Sequence, residues 1–509
     1  MRQSKKLFLN TLLLTAASML MRAIWVYFQI YLSNEIGSAG IGLFQLIGSV
    51  QGLAITVAVS GIRFATTRMV SEELGLQRPG GVNKVLGRCL MHGLTFGTLA
   101  AITLFFASEY IGSIWIGDSR TILPLQTLSF TMPFIALSAV IGGYFTAVQR
   151  VVKTAAAQLL DTFITVAATV LFLFMAPADN LEFSCAAIVA GGAVGEVISF
   201  FIMLLLFLYD KRRLKGDNSN TRHVTRRLLA VSMPLAVSTY ARSALSTLEH
   251  MLVPRGLRKS GASGDSAMAT YGTVHGMVFP VLTFPSVLFM SLSELIIPEL
   301  TENQVAGNEG RIKYIVNKIL NLCIFFSIGV AGLFAFFHNE LGAMLYHDPE
   351  VSKYILIFSF LMPIVYMDAI TDGMLKGLGQ QLHSMAYNIV DSFVSVILVY
   401  TLLPLYDINA YICIVYFTEC FNFFLSIRRI SRVTTLGVRI KDILLPVLAI
   451  ICAVNLVAAG LRILGFPLQA TAFSLIAHIV FSAIVYCFLL SLFSCITSED
   501  MKLLKRIAQ

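Results

Sequence analysis

Apolar residues fill long runs along this chain, and short polar stretches separate one run from the next. The segment "TAASMLMRAIWVYFQIYL" (15–32) shows the pattern, with Arg22 as its only charge. Runs of about 20 apolar residues cross a bilayer as helices. Fourteen can be drawn: 8–33, 41–66, 85–107, 122–147, 155–176, 185–209, 228–253, 268–296, 319–338, 353–376, 384–404, 409–427, 443–464 and 470–496. The short alternating segments of a membrane barrel are absent. The N-terminus has the basic start and apolar core of a secretory signal. Its apolar run continues past Arg22 to Leu32, however, which suits a spanning helix.

The runs repeat. Residues 128–166 align without a gap on residues 358–396, at an offset of 230, with ten of 39 positions identical. Met132-Pro133 falls on Met362-Pro363, Gly143 on Gly373 and Asp161 on Asp391. A weaker match places Ser18 on Ser238 and Arg22 on Arg242. Six spans, an even number, separate the copies. The halves therefore share one orientation, and the expected symmetry is a twofold axis along the membrane normal. The predicted fold is an all-α polytopic membrane protein of about 14 transmembrane helices. It divides into an N-terminal lobe (1–209), a basic linker (210–227), a C-terminal lobe (228–427) and a final part with two additional helices and a basic tail (428–509). Parallel repeats around a central cavity suit alternating access by rocking. Prolines within spans (Pro133, Pro234, Pro280, Pro285, Pro363) either permit bends or mark helix ends.

Composition agrees with this pattern. Of 509 residues, 57% are hydrophobic and 13% charged, against about 25% charged in soluble domains. The net charge of +9 follows from topology rather than from nucleic-acid binding. With the N-terminus in the cytoplasm, 28 of the 37 Lys and Arg fall in cytoplasmic segments and six in external loops. That split obeys the positive-inside rule and places both termini inside. The three left within spans are Arg22, Arg63 and Arg242. The eight cysteines form no CxxC pair and read as small hydrophobes.

An arginine at the bilayer centre costs roughly 2.5–3.5 kcal/mol on insertion scales, so three of them call for compensation. Snorkelling or a structural ion pair would relieve them. Alternatively, they line a water-filled cavity and bind an anion, since the guanidinium fork grips phosphate oxygens bidentately. His275 and the external Arg255, Arg258 and Lys259 extend that positive path, or His275 is simply packed. Intramembrane acids are Asp161, Glu196, Glu249, Glu294, Asp368, Asp372, Asp391 and Glu419. Glu249, Asp368 and Asp372 are the candidates for coupling to H+ or Na+, the last two being four apart on one helix face. Asp161 and Asp391, related by the repeat, suit a structural duty. No Gly-Lys dipeptide occurs, so a GxxxxGK[ST] phosphate loop is excluded, and HExxH is absent. No metal site, cofactor site or catalytic constellation emerges, and no enzyme activity is expected.

The stretch "YLSNEIGSAGIGLFQLIGSVQGLAITVAVSGIRFATTRMVSEELG" (31–75) resembles the stage V sporulation protein B branch of the polysaccharide-exporter family. Gly37, Gly40, Gly42, Leu43, Phe44 and Gln45 carry its first motif. Gly61, Ile62, Ala65, Thr67, Arg68, Met69, Val70, Ser71 and Glu72 carry its second. "MLVPRGL" (251–257) is similar to the stretch after span 7 in that family. The resemblance implies membership in the multidrug/oligosaccharidyl-lipid/polysaccharide exporter superfamily and the flipping of polyprenyl-pyrophosphate-linked saccharides. Two lobes that build one cavity make a monomer the default, in the bacterial cytoplasmic membrane, with the membrane potential, H+ or Na+ as candidates for coupling. In the related lipid II flippases, arginines of spans 1, 2 and 8 face the cavity. Arg22 and Arg63 match the first two, span 8 has His275 and no arginine, and Arg242 of span 7 is the candidate for the missing charge. Two other functions stay open: a Na+- or H+-coupled multidrug exporter, whose early spans should carry acids, and a non-transporting envelope-assembly scaffold.

Overall fold

The structure, a computed structural model, describes residues 2–76, 79–177, 180–211, 224–463 and 472–493. Most of the basic linker and the basic C-terminal tail lie outside the described residues, as does Cys495. The other seven cysteines are unpaired. The described residues contain helices and turns and no strand.

The first half comprises α1 (Arg2–Val59), α2 (Ile62–Gly75), α3 (Pro79–Tyr110), α4 (Ile122–Ser129), α5 (Met132–Ala147), α6 (Val151–Met175) and α7 (Leu181–Lys211). The second half begins with α8 (Val224–Lys259) and α9 (Gly264–Gly272). A π-turn over Thr273–Val278 leads into α10 (Phe279–Thr283) and α11 (Val287–Val305). There follow α12 (Glu309–Phe336), α13 (His338–Leu345), α14 (Pro349–Ser359), α15 (Met362–Gly377) and α16 (Gln381–Val433). The last two helices are α17 (Lys441–Ile463) and α18 (Ala472–Leu492). They pack on α12, where Tyr486 lies over Gly329 and donates to the Phe325 carbonyl at 2.6 Å.

Among the described residues ten helices are long and apolar enough to cross a membrane, or up to twelve if each of two bent pairs is one span. About fourteen were expected, and the difference lies in α1 and α16. Each runs through as one helix where the hydropathy pattern drew two. A straight helix of 58 residues would be about 87 Å long, far more than a hydrocarbon core of about 30 Å. Both helices are interrupted by a single non-helical residue, Gly37 (φ 69°, ψ 175°) in α1 and Asp407 (φ 57°, ψ −152°) in α16.

The offset of 230 is visible in the backbone. Helices α5 and α15 both have 16 residues and begin with Met-Pro. The proline sits in the first turn, where its missing N–H is not needed. Each helix follows a shorter one across a bend, 46° for α4–α5 and 55° for α14–α15. Pro133 and Pro363 are thus at helix starts and at bends together. Each ends in a left-handed residue, Gln149 (φ 56°) and Gly379 (φ 67°), before α6 and α16 begin.

The halves meet most closely where α1 crosses α9. A Cβ at Gly42 would collide with the carbonyl oxygen of Met268, and one at Gly272 with that of Ser38. Gly272 is Gly42 plus 230, and Met268 is Ser38 plus 230. The contact is therefore its own image under the repeat, as a twofold axis through the crossing requires. Leu43, Leu46 and Ile47 continue into a core shared with Tyr271, Val274 and Leu361.

Polar links flank this crossing. On the face of the fold that carries Gly37, Arg120 bonds Asp118 and, at 2.8 Å, Asp265 of the other half. On the face that carries the N-terminus, Arg227 of α8 bonds Glu72 and Glu73 of α2. The two halves are thus joined at both faces.

Candidate substrate and ion sites

Between the crossing and the Arg227 pair, α1 and α8 diverge around a cavity of about 450 Å³. From α1 come Gly48, Ser49, Gly52 and Thr56. From α8 come Thr239, Arg242, Ser243, Ser246, Thr247 and His250. Arg242, Ser246 and His250 are spaced four apart, one above the other on a single helix face. Glycines on α1 keep its side of the cleft open, and hydroxyls supply most of the polar groups. Thr247 donates to the Ser49 carbonyl at 3.0 Å, Thr56 to Ser243 at 3.3 Å and Tyr240 to Ser60 at 2.7 Å, so α1 and α8 are laced together above and below Arg242. No Asp or Glu lines the cavity.

All three intramembrane arginines are exposed, and among the described residues none forms an ion pair. The structure does not gather them into this one cavity. Arg242 lines it, whereas Arg22 lies in the first part of α1 and Arg63 stands beside Gly142 of α5. His275 sits one layer behind His250, hydrogen-bonded through Nε2 to the Tyr411 hydroxyl. Arg255, Arg258 and Lys259, expected to extend a positive path, are engaged elsewhere. Arg255 donates to the Ile114 carbonyl, Arg258 to the Gly117 carbonyl at 3.0 Å, and Lys259 lies over the Tyr400 ring.

The coupling candidates separate as well. Glu249 turns away from the cavity and accepts a 2.6 Å bond from Ser395 of α16. Asp368 accepts from Asn422, which also donates to Asn388. Asp372 pairs with Lys376 at 2.6 Å and with Ser384. One turn of α15 thus divides two acids that share a helix face, leaving Asp368 without a cationic partner and Asp372 with one. Asp391 and Glu419 of α16 lie within electrostatic reach of Glu249 and Asp368. Oδ1 atoms of Asp368, Asp391 and Asn422 are buried without a hydrogen-bond partner. In the first half, Asp161 and Glu196 line a cavity of about 170 Å³ with Thr165, Thr169, Gln51 and Trp25. The side chain of Glu294 lies outside the described residues.

The sequence pattern had not singled out His250, Tyr271 or the hydroxyl row on α8. The signal was present: six of the ten residues from Thr239 to Leu248 are Ser, Thr, Tyr or Arg inside a predicted span.

Many long apolar helices, an internal repeat and a polar cleft between its copies define a multi-pass membrane protein of the transporter class. The family described as "Polysaccharide biosynthesis protein" matches residues 7–304, and the chain belongs to it. Stage V sporulation protein B of Bacillus subtilis is 23% identical over 512 residues, covering 98% of each chain. Among solved structures, "Lipid II flippase MurJ, inward closed conformation" superposes with a TM-score of 0.72 at 13% identity, over 95% of this chain and 98% of that one. An inward-facing multidrug transporter of the MATE family and MOP superfamily gives 0.64 at 14% identity, over 81% and 95%. Its fold is the one these structures share.

Proposed function

We propose that the protein flips a polyprenyl-pyrophosphate-linked saccharide from the inner to the outer leaflet of the bacterial cytoplasmic membrane, with both termini in the cytoplasm. The observation that carries this reading is the acid-free cavity with Arg242 amid hydroxyls. A fixed guanidinium suits a diphosphate, and hydroxyls suit a sugar. A cavity for cationic drugs would want carboxylates in that place. A second, apolar cavity of about 390 Å³ lies between α12, α14–α15 and α17, lined by residues such as Ala331, Phe360 and Ile450. It suits a hydrocarbon chain. The family's description and the likeness to a lipid II flippase fold support the same reading.

Rocking of the halves about the Gly42–Gly272 crossing exposes the cavity to each side in turn. The potential assists export, since an anion leaving an inside-negative cell gains roughly 2.3 kcal/mol per charge per 100 mV. Glu249, with Asp368 and Asp391, is the site for a coupling proton or Na+. Glu249→Gln is expected to leave substrate binding intact and to abolish the response of transport to an imposed ion gradient. Flux in proteoliposomes under gradients of each ion checks this, and an unchanged response would remove Glu249 from coupling. The reading as a whole is tested by translocation of a fluorescent polyprenyl-pyrophosphate saccharide. If purified wild type moves none under any potential or ion gradient, the flippase reading is wrong and a scaffold role gains.

A further inference from the structure

Four ring side chains sit at the Gly37-facing end of the Arg242 cavity. His250 lines it. Its Nδ1 shares a 3.0 Å hydrogen bond with the Tyr271 hydroxyl of α9. The His275 ring lies 5.0 Å from His250, edge to face, and 4.8 Å from Tyr271. Tyr411 of α16 closes the group through His275. Both tyrosines are buried, so the order inward from the cavity is His250, then Tyr271 and His275, then Tyr411.

The charged groups around His250 are few. Arg242 shares its helix face and its cavity. Glu249, its neighbour in sequence, is turned toward Ser395. From α1 the cavity receives only neutral Gly48, Ser49, Gly52 and Thr56. From α9, the π-turn and α16 come Tyr271, His275 and Tyr411, with the carboxylates of Glu249 and Glu419 within electrostatic reach of the tyrosines. In the empty cavity the charge of Arg242 and the packed rings oppose a proton on His250. Two phosphate charges brought into the same cavity reverse that balance, because a nearby opposite charge favours the charged imidazole.

We propose that His250 takes up a proton when the diphosphate enters the Arg242 cavity, so that substrate loading is proton-linked; this rests on reading the cavity as the diphosphate site. Tyr271 can bond Nδ1 in both protonation states. With His250 neutral, the phenol donates to Nδ1 and Nε2–H is left for the cavity. With His250 charged, Nδ1–H donates to the phenol oxygen, whose hydrogen rotates away. Only an N–H bond forms, with a proton supplied by water. His275, 5.0 Å off, opposes a second charge, so one proton accompanies each substrate.

Linkage fixes the sign. The loaded site holds its His250 proton to higher pH than the empty site. Affinity is therefore greatest below the empty-site pKa, falls by up to about tenfold per pH unit between the two values, and levels off above the loaded-site value. The test is isothermal titration of the full chain in nanodiscs with a farnesyl diphosphate sugar diester, whose phosphates do not titrate near neutrality. Runs between about pH 5.5 and 8 in buffers of differing ionisation enthalpy count the protons.

Wild type is expected to take up close to one proton per ligand. His250→Gln should bind with no uptake and a flat pH profile, with His250→Asn as the alternative if that variant does not fold. His275→Gln should retain the uptake. Wild-type binding without proton uptake across the range overturns this inference alone. Uptake kept by His250→Gln and lost by His275→Gln overturns the assignment to His250. Absence of diphosphate binding at every pH overturns the reading of the cavity itself.

Discussion

Arg242→Ala loses transport of the lipid-linked anion while the protein still folds and inserts. That is the expected result, and it follows from what Arg242 touches. The guanidinium forms no ion pair among the described residues, so its removal leaves no buried carboxylate uncompensated. What disappears is the fixed charge in the α1–α8 cavity. A hydrogen bond to a charged group contributes about 1.5–3 kcal/mol, so substrate affinity should fall by roughly ten- to 150-fold. Arg242→Lys should recover part of it, because an ammonium keeps the charge and loses the fork. Titration with the diester and flux in proteoliposomes at matched insertion measure both. If Arg242→Ala transports as well as wild type, the cavity is not the head-group site.

Gly42→Val and Gly272→Val should each fail for a different reason, one of shape. Each new side chain would meet a backbone carbonyl of the opposite half, and backbone cannot rotate out of the way as a side chain can. Overpacking of this kind costs typically about 1–3 kcal/mol. If that cost falls only on the state in which the crossing is closed, it moves the two-state balance by about five- to 150-fold toward the state in which α1 and α9 part. Thiol labelling of Ala267→Cys, buried on α9 while the crossing is closed, reads the shift as faster modification. Flux should fall because the closed state is needed in each cycle. Gly87→Ala is the control, as a Cβ there meets nothing within 4 Å, and it should behave as wild type. Unchanged labelling in both valine variants would mean that the crossing does not open.

The all-helical class and the 230-residue repeat were legible in the sequence, since both rest on local hydropathy and on residues such as Met132-Pro133 that fix a helix start. The Gly42–Gly272 contact was half legible. Gly42 stood in a recognisable motif, but only tertiary structure shows that its own repeat partner opposes it. The number of crossings was less secure, because Gly37 and Asp407 each interrupt a helix by one residue without the polar loop that hydropathy looks for. Asp368 and Asp372 share a helix face, yet Lys376 claims one and Asn422 the other. Spacing along a helix fixes direction and is silent about neighbours on other helices. His250 is illegible for the same reason: Tyr271, its hydrogen-bond partner, is 21 residues away in the sequence, and only the folded chain brings the rings together.

The crossing through Gly42 and Gly272 has an implication for how an amphiphile is handled. A twofold axis provides two equivalent side doors from the bilayer, one between residues 38–59 and α8, the other where the first part of α1 faces 278–286. In the alignment that sets Arg22 on Arg242, the second door also owns one arginine. Its other positions in that alignment are Ala23, Val26, Tyr27 and Ile30, where the first has Ser243, Ser246, Thr247 and His250. Duplication made the doorframes alike, and divergence upholstered one in hydroxyls and the other in hydrocarbon. A molecule that is sugar at one end and isoprenoid at the other meets a different welcome at each, so an evenly built frame gains a handedness for its cargo.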